Sequence, residues 1–137
     1  MATNNAINNN LSIGVSSYVP TLGNGSGTNF TTSLANGGYF AIGGKTFFWG
    51  HIDWSGKNGL TTEALVFSLP SAPTAADRIA ASIGYAASMP VGAVIMALCQ
   101  ESTAGVDFYK IVAGTTDGLY ANDVGTSGGI YVSGWYY

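Results

Sequence analysis

Residues 44–57 read GKTFFWGHIDWSGK. Taken as a β-strand, this segment sends successive side chains to opposite sides, so Phe48, Gly50, Ile52 and Trp54 share one face while Phe47, Trp49, His51, Asp53 and Ser55 share the other. Large rings therefore point both ways. One face can fill the interior of a β-sandwich, but the other needs a second burial partner or a ligand. The ending IYVSGWYY, residues 130–137, repeats the pattern, with Ile130, Val132 and Tyr136 on one side and Tyr131, Trp135 and Tyr137 on the other.

Outward from this stretch the chain reads as strand and turn. In LSIGVSSYV, residues 11–19, Leu11, Ile13, Val15 and Val19 alternate with small or polar residues, the period of a half-buried strand or of an extended arm lying on a neighbour. Further strands are expected over 30–34, 39–42, 45–54, 60–69, 78–87, 91–100, 106–112, 119–124 and 130–137. The dipeptides Asn36-Gly37, Asn58-Gly59 and Asp117-Gly118 supply hairpin-turn chemistry. Helical signal is confined to APTAADRIAAS, residues 72–82, where Thr74 could cap a short turn. Many short strands with frequent turns predict an all-β protein, an antiparallel β-sandwich of the jelly-roll kind. Residues 1–17, rich in Asn and Ser, read as an extended arm or linker, and 18–137 as the compact domain.

Composition narrows the function classes. The 137 residues are 47% hydrophobic and only 8% charged, with 20 glycines and a formal net charge of −3. No cluster of Lys or Arg offers a track for phosphate groups, so nucleic acid is excluded as a partner. The lone Cys99 cannot form an intrachain disulfide and reads as a small buried hydrophobe. The N-terminus has no secretory signal, and no apolar run is long enough to span a bilayer as a helix, so membrane insertion is not expected. The acceptor-like triplets at Asn10, Asn24 and Asn29 read as by-products of an Asn/Ser/Thr-rich sequence. A small monomer so poor in charge would expose much apolar surface, which points to association with further copies or a partner.

Catalytic constellations are weak. His51 and Asp53 are same-face neighbours roughly 6–7 Å apart at Cα, within contact range. Ser55 lies on the same strand as its would-be base, and no nucleophile elbow is present. One His and one Asp fall short of the three protein ligands of a zinc site unless a threefold axis multiplies them. Glu63, Glu101 and the scattered aspartates do not suggest a glycosidase pair, and the glycine-rich pieces do not form a phosphate loop. The His–Asp pair reads as a polar contact at a sheet rim or subunit interface, no cofactor or metal is expected, and the chain is not expected to be an enzyme.

YVPTL (18–22), a glycine-rich loop and GGYFAIGGKTFFWGHIDWSGKNGLTTEALVFSLPSAP (37–73) together resemble the C-terminal receptor-binding domains of bacteriophage tail fibres and related virion appendages. The pattern pairs a Y-x-x-x-G opening and a V-F-F-x-G-x-I strand with a closing Leu-Pro. SIGYAASMPVGAVIMALCQ (82–100) and VDFYKI (106–111) are similar to that family's middle strands, and GGIYVSGWYY (128–137) to its I-x-I-S-G-x-Y ending. The resemblance covers residues 18–137. It implies a jelly roll like that of complement and tumour-necrosis-factor proteins, a homotrimer, attachment to other virion proteins, and binding to a host cell-surface glycan or outer-membrane receptor. Without a shaft of repeats, the chain is expected to be a C-terminal fragment or a small stand-alone virion protein; the alternative function is a head-fibre or capsid decoration protein anchored by the arm. Candidate ligand contacts are Trp54, Lys57, Asn58, Asp117 and Tyr120, and candidate trimer contacts are Phe47, Trp49, Tyr131, Trp135 and Tyr137.

Overall fold

A computed structural model describes residues 14–74, 79–100 and 105–137. Ten strands follow in chain order: β1 (Ser16–Tyr18), β2 (Leu22–Gly23), β3 (Thr31–Ile42), β4 (Lys45–Gly56), β5 (Val66–Ser68), β6 (Ile79–Ala87), β7 (Val94–Gln100), β8 (Gly105–Val112), β9 (Thr115–Gly118) and β10 (Gly128–Tyr136). All pairings are antiparallel, and no helix occurs among the described residues. The strands join in one path, β1-β3-β4-β10-β6-β7-β8-β5-β2, with β9 hanging from β8. The path curls into a half-barrel rather than dividing into two separate sheets.

β6 makes the curl possible. Its first residues, Ile79 to Ala81, pair with Cys99 to Ala97 of β7, while Ser82 to Ala87 pair with β10. The register with β10 slips between Tyr131 and Val132, leaving Gly84 as an extra residue. Such a bulge bends the strand and raises its local twist, so β6 leaves one half of the path and enters the other.

The alternation expected along β4 is the one observed. Phe48, Gly50, Ile52 and Trp54 are buried, and Phe47, Trp49, His51, Asp53 and Ser55 are not. The inner residues meet Ile130, Val132 and Tyr136 of β10 and, across the curl, Phe67, Val106, Phe108 and Cys99 of the β5–β8–β7 half. At Gly50 the two halves approach closely: a Cβ there would lie 2.5 Å from Phe67 Cζ and 3.0 Å from the Tyr18 hydroxyl. That hydroxyl is buried without a hydrogen-bond partner, and burial raises its pKa. Cys99 is buried as expected, its thiol pushed up to about 11 by burial and by the charge of Asp107.

Several turn assignments differ from the sequence reading. Asn36-Gly37 is not a hairpin turn but the middle of β3, paired with His51 and Gly50. The glycines there leave room for the rings of Tyr18 and Trp49, whose atoms would lie 2.6 Å from a Cβ on Gly37 and 2.9 Å from one on Gly38. The chain instead reverses at Gly43-Gly44, both at positive φ, between the paired Ile42 and Lys45. Asp117-Gly118 belongs to β9, and Ala113-Gly114 closes that hairpin. Asn58-Gly59 does form a turn. The strand expected over 60–69 shrinks to Val66–Ser68, and 119–124 is a turn rather than a strand. Ser16 and Ser17, assigned to the arm, pair with Tyr39 and Gly38; residues 1–13 and the helical turn expected after Thr74 lie outside the described residues.

Gly50→Ala is expected to lower stability by about 1–3 kcal/mol through overpacking against Phe67 and Tyr18, measured as a reduced urea midpoint with unchanged m-value.

Candidate functional site

The outward side of β3, β4, β10 and β6 forms a continuous surface whose residues follow from strand register. Across it run the rows Phe40–Phe47–Trp135, Gly38–Trp49–Ser133 and Asn36–His51–Tyr131–Tyr85. At the end nearest the Gly43-Gly44 turn, Phe40 stacks on Phe47 with ring centres 5.0 Å apart. Trp135 meets Tyr137 edge-on at 5.4 Å, and the Lys45 ammonium lies 4.2 Å from the Trp135 ring centre and 5.1 Å from that of Tyr137. A shallow apolar hollow of about 430 Å³ runs among Phe40, Phe47, Trp49, Tyr131 and Trp135. Trp49 and Tyr137 are each 39% exposed.

Toward the other end the surface becomes polar. Tyr131 lies nearly parallel to Trp49, with centres 6.4 Å apart and planes 9° apart, and packs against His51 at 6.3 Å. His51 Nε2 donates to Asp53 Oδ1 at 3.1 Å, so the contact that the same-face spacing allows is made. A second hollow of about 500 Å³ opens here, lined by His51, Asp53, Gly84, Tyr85 and Tyr131. All five residues singled out as trimer contacts thus share one surface, and Phe40, Lys45 and Tyr85 belong to it as well.

The expected ligand-contact residues are arranged differently. Trp54 is not in an exposed loop: it sits on the inner face of β4, 2% exposed, packs against Phe30 and donates its indole N–H to Gly125 O at 3.1 Å. Its burial removes it as a ligand platform. Lys57 donates to Ala121 O and Val124 O at 2.6 and 2.5 Å, so its ammonium holds the 119–125 turn rather than standing free for a ligand. Asn58 at φ 50° donates to Asn29 O at 2.7 Å and accepts from Thr31 Oγ1 at 2.8 Å. Asp117 caps Gly118 N at 2.8 Å and accepts from the Tyr120 hydroxyl at 3.4 Å. Lys57 thus reaches the turn that carries Tyr120, while no hydrogen bond joins Asn58 to Asp117 or Tyr120 among the described residues.

That turn is pinned from a further side. Asp123 accepts from Lys110 Nζ at 2.6 Å and from Tyr120 N at 2.8 Å. The hydrogen bond to Asp123 raises the Lys110 pKa. No group of three or more His, Cys, Asp and Glu residues placed to hold a metal occurs among the described residues.

Sequence reasoning missed Tyr85 because β-alternation does not survive a bulge: the extra Gly84 resets which side chains of β6 face outward. The cue was available in the Ile83-Gly84-Tyr85 order, an isolated glycine inside a strand pattern.

The chain matches no protein-family model and no curated protein. Among solved structures it is similar to the Dettilon tailspike protein (gp208), with a TM-score of 0.73 over 90% of this chain at 14% sequence identity. The matched part is 23% of the tailspike chain, and the likeness is one of fold.

Lys57→Met is expected to lower stability by about 1–3 kcal/mol, because two carbonyls lose a charged donor; thermal denaturation reads this. The Lys110 pKa is raised in the folded state, so its contribution is complete below about pH 10.4, the ordinary lysine value, and is lost as pH climbs through the folded value. The melting temperature of the unaltered chain is therefore expected to converge on that of Lys110→Met as pH is raised above about 10.4.

Proposed function

We propose that this chain is a non-enzymatic adhesion domain of a bacteriophage virion, associating as a homotrimer through its outer aromatic surface and binding a host-surface glycan. The observation that carries this reading is the group of rings Phe40, Phe47, Trp49, Tyr131, Trp135 and Tyr137 gathered on the outer surface of a single chain. Aromatic residues are enriched in the buried centres of protein interfaces, and rings stacked in place lose little entropy on association. The fold likeness to a phage tailspike and the tail-fibre resemblance of residues 18–137 support the virion setting.

In this reading the hairpin end, with Phe47, Trp49, Trp135 and Tyr137, forms the self-association surface and Tyr131 lies at its margin. Asn58, Asp117 and Tyr120 stay at the rim, where a receptor could reach them without disturbing the trimer. Three weak sites held on one particle raise avidity without demanding a deep pocket in each.

Light scattering is expected to give the mass of three chains, and Trp49→Ser combined with Trp135→Ser to give that of one chain with an unchanged β circular-dichroism spectrum. A single-chain mass for the unaltered protein would refute the trimer. Retention on envelope fractions from a panel of bacteria tests adhesion, which fails if none retains it.

A further inference from the structure

We infer that the hollow between His51, Asp53, Tyr85 and Tyr131 is a subsite for one neutral pyranose ring. This deepens the reading of the domain as a host-surface binder and rests on it. Its volume of about 500 Å³ lies within the usual range for small-molecule sites, roughly 300–1,000 Å³.

The space is made by missing side chains. Gly129, opposite Asp53 and Ala87, lies beside two of the lining side chains: a Cβ on it would collide with Asp53 Oδ1 and lie 3.1 Å from Tyr85 Cε1. A Cβ on Gly84 would lie 3.1 Å from Tyr131 Cδ1. Gly84 is also the bulge residue, and bulges re-aim side chains beside binding sites. Here the bulge separates the outward Tyr85 from the inward Ile83, leaving Tyr85 54% exposed in cross-strand register with Tyr131.

The lining chemistry selects the ligand. Tyr131 is braced by Trp49 on one side and His51 on the other, so its ring is a fixed platform, while Tyr85 is the open wall. The electron-rich faces of such rings attract the polarised C–H face of a pyranose. Asp53 Oδ1 is engaged by His51, and its Oδ2 makes no hydrogen bond among the described residues, leaving an acceptor for a sugar hydroxyl. The His51–Asp53 bond orients that carboxylate. Among the described residues no Lys or Arg lines the hollow, so a sugar carboxylate would meet the Asp53 charge with no lysine or arginine there to offset it, whereas a neutral ring would not.

The unaltered protein, ¹⁵N-labelled, is titrated with the methyl glycosides of glucose, galactose and mannose, and with methyl glucuronide as the charged control. At least one neutral glycoside is expected to bind weakly, in roughly the millimolar range, shifting the amide signals of Gly84, Tyr85, Gly129 and Tyr131. The glucuronide should leave them in place. Tyr85→Ala, an exposed position whose loss leaves the core intact, and Asp53→Asn are each expected to weaken binding at least about tenfold. Gly129→Ala should abolish it. Absence of binding by all three neutral glycosides, equal binding of the glucuronide, or unchanged affinity in Tyr85→Ala overturns the assignment. Envelope retention in the absence of glycoside binding sinks the subsite and leaves adhesion standing; glycoside binding with no envelope retention does the reverse.

Discussion

Strand β4 carries rings on both faces, and the rest of the structure is arranged around satisfying them. Inward, Phe48, Ile52 and Trp54 enter a shared core, while Gly50 lets Phe67 from the far half approach as closely as a side chain can. The curl that β6 introduces brings the two halves together at that glycine. Trp54 extends the constraint to the loops by holding Gly125 O, and Lys57, just beyond the strand, fastens the same turn through Ala121 and Val124. Among the described residues the outward rings meet one another, Lys45 and His51, which leaves a strip of aromatics facing away from the core.

How much of this was legible in the sequence depended on whether a residue's role was set by local periodicity or by distant neighbours. The two faces of β4 and β10 could be read directly, because alternation is a property of the backbone. The His51–Asp53 contact followed from the same rule. Trp54 was misplaced for a different reason: its alternation put it inward, but its nearness to Lys57 and Asn58 suggested a loop, and only the return of residues 119–125 shows what covers it. Asn36-Gly37 misled because glycine serves two purposes. In a turn it supplies positive φ, and within β3 it clears space for Tyr18 and Trp49, a need created by residues distant in sequence. Tyr85 was hidden by a bulge, which no periodic rule anticipates.

The outer surface is graded along the strands. At the β3–β4 hairpin it is apolar, with the Lys45 ammonium resting on two rings; six residues further along β4 the rings give way to the His51 imidazole and the Asp53 carboxylate. Tyr131 sits at the boundary, stacked with Trp49 on the apolar side and tilted against His51 on the polar side. Desolvating the apolar end is favourable without special geometry, whereas covering Asp53 would strip water from a carboxylate. The gradient gives one sheet surface room for two different contacts.

The position of β10 has a mechanical consequence. It lies between β4 and β6, hydrogen-bonded along both edges, whereas β1 sits at the margin of the path and, among the described residues, meets β3 through Ser16, Ser17 and Tyr18. Tension entering through β1 would peel its few pairs in succession, but tension along β10 must shear two ladders together. The sheet is therefore stiff along β10 and compliant along β1.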